Sequence, residues 1–221
     1  MTEALPDAAF DSPPAEALAS DAEFWQLYDS AFPTNEREPR EVIQESVQRG
    51  VGVTVRARQN GHTVGLATGH LLREPPVVFV VYLAVVPELR SHRLGSTLFE
   101  KLWTEAAASY AARGGSAAGM VWEVDIPERA MSAQEVEKSR RRIGFFTRLG
   151  GHLLPDTYFQ PPVDGVTSVP MHLMYRPAPD DRSPGRTASS ALVHAMYFEK
   201  YHQANGIPKE VLNELLHKSG R

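Results

Sequence analysis

The sequence predicts an α/β protein, and three observations indicate this class. Residues 77–86 form a ten-residue apolar run without alternation, which is typical of a strand covered on both faces. A helical pattern over residues 94–113 follows this strand after a short loop. Before it, alternating apolar residues flank Asn60-Gly61, a strong signal for a tight hairpin because both turn residues must adopt positive φ.

The other elements follow from capping, spacing and chain-breaking residues. Asp21 is placed to cap a helix that stops at Pro33, and a second helix begins at Pro39 and ends before Gly50. Ser132 starts a capping box that opens a later helix. In chain order, the remaining elements are strands over 51–57, 63–73, 120–125, 152–154 and 169–175, and two short C-terminal helices over 191–204 and 208–218.

Composition divides the chain into four segments. Residues 1–20 are rich in Ala, Pro, Asp and Ser and are expected to form an acidic, poorly ordered leader. The α/β domain is expected over 21–176, a Pro-rich linker over 177–190, and a helical appendage over 191–221. The appendage has one apolar face, so we expect it to pack on the domain or, alternatively, on a second copy of the chain.

Composition also excludes several classes of protein. The chain of 221 residues has no cysteine, which rules out disulfides and a cysteine nucleophile on this chain. The apolar run at 77–86 is about half the length of a membrane-spanning helix, and no secretory signal precedes Arg37, the first basic residue. These observations predict a cytoplasmic protein without a membrane partner.

Charge is segregated along the sequence. Eight acidic residues and no Lys or Arg precede Arg37, so residues 37–221 carry a net +4 although the whole chain carries −4. A basic body is compatible with an anionic ligand, and the acidic leader is equally well explained as a solvated tail. The basic run Lys138, Arg140, Arg141 and Arg142 spreads around a helix, so it predicts a solvated face and no nucleic-acid partner.

The segment between the apolar strand and the following helix is the most informative. Its loop and the helix N-terminus form an anion site from backbone N–H groups and the helix dipole. Leu83, Val85 and Pro87, then Arg90 and Gly95-Ser96, resemble the acetyl-CoA motif of the GNAT family of N-acetyltransferases. The order of elements over 21–176 also resembles that family. The chain departs from the motif at Arg93, which stands where the family has its first glycine and either crowds the pyrophosphate or pairs with it.

The resemblance implies a GNAT-like α/β fold, in which helices flank a mixed, mostly antiparallel sheet whose middle strands splay apart. It also implies acetyl-CoA as co-substrate, without a metal. In this family an amine attacks the thioester directly within a ternary complex. Pantetheine is then expected along the backbone near residues 83–85. The resemblance implies that acetyl-CoA contacts Leu83, Ala84, Val85, Arg90, Ser91, His92, Arg93, Leu94, Gly95, Ser96 and Phe146.

Glu123 is the candidate general base, because it lies on a strand as the strand-borne glutamates of family members do. Neighbouring apolar residues are expected to raise the pKa of its carboxyl group towards the range that suits a base. The alternative is a solvated or salt-bridged acid at a strand end. Asp125 and Glu128 complete an acidic trio with Glu123, but no histidine lies close in sequence and we expect no metal.

A general acid for the departing thiolate is harder to assign. Family members often have a tyrosine where this chain has Phe146, which lacks a hydroxyl group. Tyr158 is one candidate acid and Tyr82 is another, and an unassisted departure is a third possibility because the thiol pKa is near 8.5. Both tyrosines are also compatible with ordinary packing.

The loop between the first two helices usually lines the acceptor site in this family. Here it contains Glu36 and Glu38, which are placed to bind a cationic amine or, alternatively, to stabilise a helix N-terminus. A polyamine, an amino acid, an aminoglycoside-like molecule and a protein amine all remain open as acceptors, and the chain is expected to be a monomer or homodimer. The rival hypothesis is a CoA-binding regulatory module that has lost turnover.

Overall fold

The computed structural model describes residues 8–90, 92–163, 165, 167–179 and 189–220. They form two compact units. The first contains the chain up to Leu71 together with Val80–Ser116, and the second contains Leu72–Phe79 and the chain from Ala117. No helix in these described ranges is long and apolar enough to cross a membrane.

Strands and helices alternate along the chain. The described strands are β1 (Ala9–Asp11), β2 (Gly52–Gln59), β3 (His62–Leu71), β4 (Val77–Val85), β5 (Gly119–Asp125), β6 (His152–Leu153), β7 (Tyr158–Gln160) and β8 (Val169–Pro177). The described α-helices are α1 (Ala15–Ala19), α2 (Ala22–Ala31), α3 (Arg40–Gln48), α4 (Leu94–Ala111), α5 (Ala133–Arg148), α6 (Ser189–Ala195) and α7 (Lys209–Lys218). A π-helix, Met196–His202, continues α6.

The strands confirm the predicted mixed sheet. In the first unit β1 pairs with β2 and β2 with β3, both antiparallel, and β3 also pairs with β4. In the second unit the start of β4, Val77–Phe79, pairs in parallel with Gly119–Val121 of β5. β5 pairs antiparallel with β8, and β6 and β7 each pair antiparallel with β8. The β4–β5 pair is therefore parallel within a mostly antiparallel arrangement.

Local signals located several elements correctly. Asp21 caps α2 by accepting a hydrogen bond from the Phe24 N–H at 2.9 Å. The hairpin turn has φ of 51° at Asn60 and 85° at Gly61. Ser132 opens α5 with a complete capping box. These features depend on residues close together in sequence, which is why the sequence predicts them.

The expectation of a poorly ordered leader over residues 1–20 is wrong from residue 8 onward. β1 pairs with β2 at the edge of the first unit, and Leu18 of α1 is fully buried. The guanidinium of Arg56 on β2 binds Asp11 at 2.9 Å and Asp21 at 2.5 Å. An acid-rich composition therefore hides a short edge strand whose charge is neutralised by a basic residue far away in sequence. Residues 1–7 lie outside the described residues.

Helices cover both faces of the first unit's strands. A Cβ added at Gly52 would lie 2.8 Å from Ser46 of α3, so α3 packs directly on β2. A Cβ added at Gly65 would lie 2.7 Å from Leu98 of α4. Because alternate residues of a strand face opposite sides, these close approaches indicate one helix layer on each side.

The C-terminal segment lies within the second unit and packs on it, which is one of the two arrangements expected from its apolar face. The Glu199 carboxylate accepts hydrogen bonds from the backbone N–H groups of Arg73 at 2.9 Å and Glu74 at 3.3 Å. The Lys218 ammonium lies 4.4 Å from the centre of the Phe159 ring. The expected linker over 177–190 begins within β8, and its part over 180–188 lies outside the described residues.

β7 was not predicted. It is only three residues long, and its one partner in the described part of the chain is the edge of β8. Its pattern is short and lies between turn residues, so local sequence offers no periodic signal. The pairing that defines it is non-local.

Candidate active site

The loop between β4 and α4 combines several features that favour an anion. A turn of 3-10 helix, Pro87–Leu89, leads into it, and the first turn of α4 contains no acidic residue. The side chain of Arg93, the N-cap residue of α4, makes no capping hydrogen bond. The backbone N–H groups and the positive end of the dipole at the α4 N-terminus favour an anion.

Arg93 adopts the left-handed conformation at the start of α4, with φ of 61° and ψ of −1°. Its carbonyl oxygen accepts hydrogen bonds from the Ser96 hydroxyl at 2.7 Å and the Thr97 hydroxyl at 3.1 Å. Glycine adopts this conformation without a steric cost. Arg93 therefore occupies a backbone conformation that glycine would adopt at no steric cost.

The predicted cofactor residues of this segment lie along consecutive parts of β4, the loop and α4. Arg90 is exposed, and its Nε donates a weak hydrogen bond to the Val85 carbonyl at 3.4 Å. The Arg93 side chain is also exposed, and the His92 ring lies 3.0 Å from the Arg90 carbonyl oxygen. Ser91 lies outside the described residues. Of the other members, Leu83 and Val85 are partly exposed and Ala84 is buried in β4. Leu94 is buried, and Gly95 and Ser96 are partly exposed in the first turn of α4.

Glu123, in the second unit, lies at the centre of a hydrogen-bond network. Its Oε1 accepts a short hydrogen bond from the Tyr158 hydroxyl and a second one from the Tyr201 hydroxyl at 2.7 Å. Its Oε2 accepts from the Gln160 amide at 2.7 Å. Because a carboxylate has about four acceptor positions, these donors leave one position on Oε2 for a further donor.

Burial raises the pKa of Glu123 above its ordinary value, as the sequence predicts. The hydrogen bonds from Tyr158, Tyr201 and Gln160 act in the opposite direction because they stabilise the charged form, and the positive charge of Lys200 does the same. Glu123 itself is partly exposed. The Glu123 carboxylate therefore binds a proton more readily than a fully exposed carboxylate does.

Three members of this network were missed by sequence reasoning. Gln160 is on the unpredicted strand β7, and Lys200 and Tyr201 are on the π-helix. Tyr201 belongs to the apolar face that the sequence predicts for the C-terminal segment, and its hydroxyl is the one local feature that indicates a polar partner. The pairing with Glu123 joins residues 78 positions apart.

Tyr158 and Phe146 have well-defined surroundings. Tyr158 is fully buried and donates to Glu123, and burial together with that charge raises the pKa of its hydroxyl well above the ordinary value. Phe146 packs against Trp122 with ring centres 4.8 Å apart, and only 7% of it is exposed. It therefore stabilises the core of the second unit, and its contact with a cofactor stays a prediction.

Glu36 and Glu38 flank a loop that two tyrosines organise in the first unit. The Tyr82 hydroxyl accepts from the Glu38 N–H at 2.8 Å and lies 3.1 Å from the Glu36 carbonyl oxygen, to which it donates. The Tyr28 hydroxyl donates to the Glu38 carbonyl at 2.9 Å. Tyr82, the second candidate acid, thus uses its hydroxyl to hold this loop. Glu36 is exposed, whereas Glu38 is buried.

Two arginines of the basic run on α5 form ion pairs. Arg142 binds Asp125 at 3.1 Å, and Arg141 binds Glu137 at 3.1 Å. The sequence-predicted acidic trio does not converge: within the described ranges, no group of three or more His, Asp or Glu side chains is arranged to hold a metal ion.

Comparison with known proteins places this fold and loop in a family. A family model described as the acetyltransferase (GNAT) family matches residues 21–150. The chain therefore belongs to the GNAT family and is an acyltransferase by class, which confirms the resemblance drawn from the β4–α4 segment. A comparison with curated protein sequences finds no match.

Solved structures share the fold at low sequence identity. A GNAT-family acetyltransferase structure from Bacteroides thetaiotaomicron aligns with a TM-score of 0.64 and 20% identity over 90% of this chain and 99% of that one. The yncA acetyltransferase from Salmonella typhimurium, solved with acetyl-CoA, aligns with a TM-score of 0.55 and 16% identity over 82% and 99%. An aminoglycoside 6'-N-acetyltransferase complexed with coenzyme A gives 0.52 and 16% over 78% and 99%. At these identities the likeness concerns the fold.

Proposed function

We propose that the protein transfers an acetyl group from acetyl-CoA to a primary amine by direct attack in a ternary complex. The neutral amine nitrogen attacks the thioester carbonyl carbon, the carbon–sulfur bond breaks, and the thiolate leaves with the electron pair. The nitrogen loses a proton to a base. The absence of cysteine from the chain supports this direct route over an acetyl-cysteine intermediate.

The β4–α4 loop supports binding of the acetyl-CoA phosphates. A helix N-terminus whose N-cap side chain makes no capping bond and whose first turn carries no acid attracts an anion. Arg90 and Arg93 are exposed beside it in sequence and add positive charge. We assign phosphate binding to these two arginines and to the backbone at Gly95 and Ser96, and pantetheine binding to the backbone of residues 83–85.

We propose Glu123 as the general base. The single observation behind it is a carboxylate whose pKa is raised by burial, whose orientation is set by three donors, and whose Oε2 keeps one acceptor position. A proton from the amine, directly or through water, would go to that position. A surface acid or a simple salt bridge would not have this set of neutral donors.

We propose that the thiolate leaves without a tyrosine acid. Phe146 has no hydroxyl, and the Tyr82 hydroxyl is committed to the loop at Glu36 and Glu38. The Tyr158 hydroxyl is committed to Glu123. A thiol with an ordinary pKa near 8.5 is a good leaving group at neutral pH, so unassisted departure costs little.

The acceptor class follows from the exposed acid at Glu36 and from the chemistry of the family. A carboxylate at the acceptor loop favours an amine that arrives as a cation and loses a proton before it attacks. A small polyamine or amino acid, an aminoglycoside-like molecule and a protein amine fit this description equally. Glu38 is buried, so we assign the first contact with the acceptor to Glu36.

Free-thiol release from acetyl-CoA, measured with a panel of primary amines, tests the function. The wild-type protein is expected to release thiol with at least one amine. Glu123→Gln is expected to lower kcat by about 10²-fold or more, whereas the neighbouring control Asp125→Asn, which only breaks a surface ion pair, is expected to keep it. Undiminished turnover by Glu123→Gln would remove Glu123 as the base.

The rival function, a CoA-binding module without turnover, is favoured by one observation. The position that supplies a tyrosine hydroxyl in many family members holds Phe146, whose ring is packed in the core. Thermal stabilisation by acetyl-CoA without thiol release from any amine would support the module. If acetyl-CoA gives no stabilisation, both functions are wrong.

A further inference from the structure

The C-terminal segment supplies a side chain to the proposed base, although it lies beyond the matched family region at residues 21–150. We propose that Tyr201 is a positioning residue that orients the Glu123 carboxylate and sets its proton affinity. The inference rests on the proposed function, because it concerns the base named there. It extends that function by making a segment outside the family domain necessary for its full activity.

The geometry around Oε1 is the first support. The Tyr201 and Tyr158 hydroxyls both donate to this atom, so they fill its two acceptor positions. The carboxyl group is then fixed in rotation, with the remaining acceptor position on Oε2. Removing either hydroxyl would let the carboxyl group rotate and would expose Oε1 to other donors.

The π-helix also holds the strand that bears the other donors. The Tyr197 hydroxyl donates to the Phe159 carbonyl at 2.6 Å. Phe159 lies between Tyr158 and Gln160 on β7, so this bond fixes the middle of the segment that carries both of those donors. Tyr197 and Tyr201 are four residues apart and share one face of the helix. One helix face therefore contacts the base directly and through β7.

Tyr201 is itself held rigidly. Its side chain is buried, and its ring lies 6.0 Å from the Phe79 ring and 6.5 Å from the Tyr197 ring. Its backbone carbonyl accepts a hydrogen bond from the Ile207 N–H at 3.0 Å. Glu199, two residues earlier, anchors the helix to the backbone at Arg73 and Glu74. A π-helix is an uncommon conformation that often occurs at functional sites.

The groups near Glu123 determine the direction in which loss of the Tyr201 hydroxyl changes the pKa of this carboxyl group. Tyr158, Tyr201 and Gln160 are neutral donors, and Lys200 is the nearby cation that favours the carboxylate. The other acid on the same face of β5, Asp125, is paired with Arg142 of α5. Loss of the Tyr201 hydroxyl removes a donor that favours the charged form, so the pKa of Glu123 rises.

Tyr201→Phe and its matched control Tyr197→Phe test the proposal. Each variant loses one hydroxyl from the same helix face and keeps the ring. The readout is kcat/KM for thiol release as a function of pH. For Tyr201→Phe we expect the acidic limb to move up by about one pH unit and turnover below the limb to fall about tenfold. For Tyr197→Phe, whose hydroxyl reaches the Glu123 donors only through the β7 backbone, we expect a clearly smaller shift of the limb than in Tyr201→Phe.

The outcomes separate this inference from the proposed function. An unmoved limb in Tyr201→Phe, an equal shift in both variants, or a Tyr201→Phe protein that does not fold would assign Tyr201 a purely structural role and overturn the inference. Glu123→Gln gives the independent check. If Glu123→Gln keeps the wild-type profile, the proposed base is wrong; if it abolishes turnover while Tyr201→Phe shifts nothing, only the inference fails.

Discussion

Replacement of Arg93 by glycine should separate the effect of the backbone conformation on stability from the effect of the charge on acetyl-CoA binding. Arg93 has φ of 61°, in the left-handed region that glycine tolerates and other residues rarely adopt. Its guanidinium is exposed and is the group we assign to the acetyl-CoA phosphates. Arg93→Gly should therefore make the folded protein more stable and at the same time weaken its binding of acetyl-CoA.

The magnitude follows from two opposing contributions to the free energy of unfolding. A left-handed conformation destabilises a non-glycine residue by roughly 1–2 kcal/mol, and glycine avoids this cost. The greater entropy that glycine gives the unfolded chain offsets about 0.5–1 kcal/mol of the gain. The net gain is about 0.5–1 kcal/mol, or roughly 1–4 °C in melting temperature for a protein of this size. Loss of an exposed charge should weaken acetyl-CoA binding about two- to fivefold.

Arg93→Ala is the matched control, since alanine also lacks the charge but keeps the steric cost of positive φ. Thermal unfolding should rank Arg93→Gly above Arg93→Ala, while calorimetric titration with acetyl-CoA should find both variants weakened to a similar extent. Raised salt should reduce the difference in affinity between wild type and variants. Equal melting temperatures for the two variants would refute the backbone argument, and wild-type affinity in both would refute the assignment of the charge.

Two further predictions concern ionised groups in each unit. Arg56→Met should lower the free energy of unfolding by roughly 1–3 kcal/mol at neutral pH, because the nearly buried Asp21 carboxylate loses its cation. The control Arg58→Met loses hydrogen bonds to the Gly61 carbonyl and should lower it by less than about 0.5 kcal/mol. Although burial opposes it, Arg56 lowers the pKa of Asp21, so the deficit of Arg56→Met should shrink as the pH falls below about 4; a deficit independent of pH in chemical denaturation would contradict this. Burial raises the pKa of Glu123, so between about pH 4.5 and the raised pKa the folded state binds more protons than the unfolded state. The stability of wild type relative to Glu123→Gln should therefore fall as the pH rises through this range. A flat or rising difference curve would show that Glu123 is not perturbed in this direction.

The charge segregation seen in the sequence has a structural explanation in the first unit. Among the described acids that precede Arg37, Asp11 and Asp21 bind Arg56, and Glu23 binds the ring of His62 at 2.7 Å. Asp29 likewise binds both Arg37 and Arg40. Composition reports how many acids a segment contains, but it carries no information about the bases that neutralise them.

Elements with strong local signals were predictable, and short edge elements were not. The helix that Asp21 caps, the hairpin at Asn60-Gly61 and the capping box at Ser132 each depend on contacts within a few residues. β1 and β7 are three residues each and owe their existence to β2 and β8. Pairing energy from a distant strand leaves no periodic trace in so short a segment.

The candidate site also has one part that local sequence predicts and one part that depends on long-range contacts. The β4–α4 loop is continuous in sequence, so its residue order alone indicated the family to which the chain belongs and the phosphate binding that we propose for it. The network around Glu123 joins β5, β7 and the π-helix, and nothing near position 123 in the sequence indicates Tyr201. A carboxylate's proton affinity depends on which groups surround it in space, and only folding decides that.

The sequence by itself determined the α/β class, the order of most elements, the family and the strand that carries Glu123. These follow from periodicity, capping and turn chemistry, which act over a few residues. The tertiary structure decided that the acidic leader supplies β1 and α1, that the C-terminal segment belongs to the second unit, and that Tyr158, Gln160 and Tyr201 converge on one carboxylate. Those outcomes depend on burial and on hydrogen bonds between residues far apart in the chain, where solvent exclusion rather than local preference sets the energy.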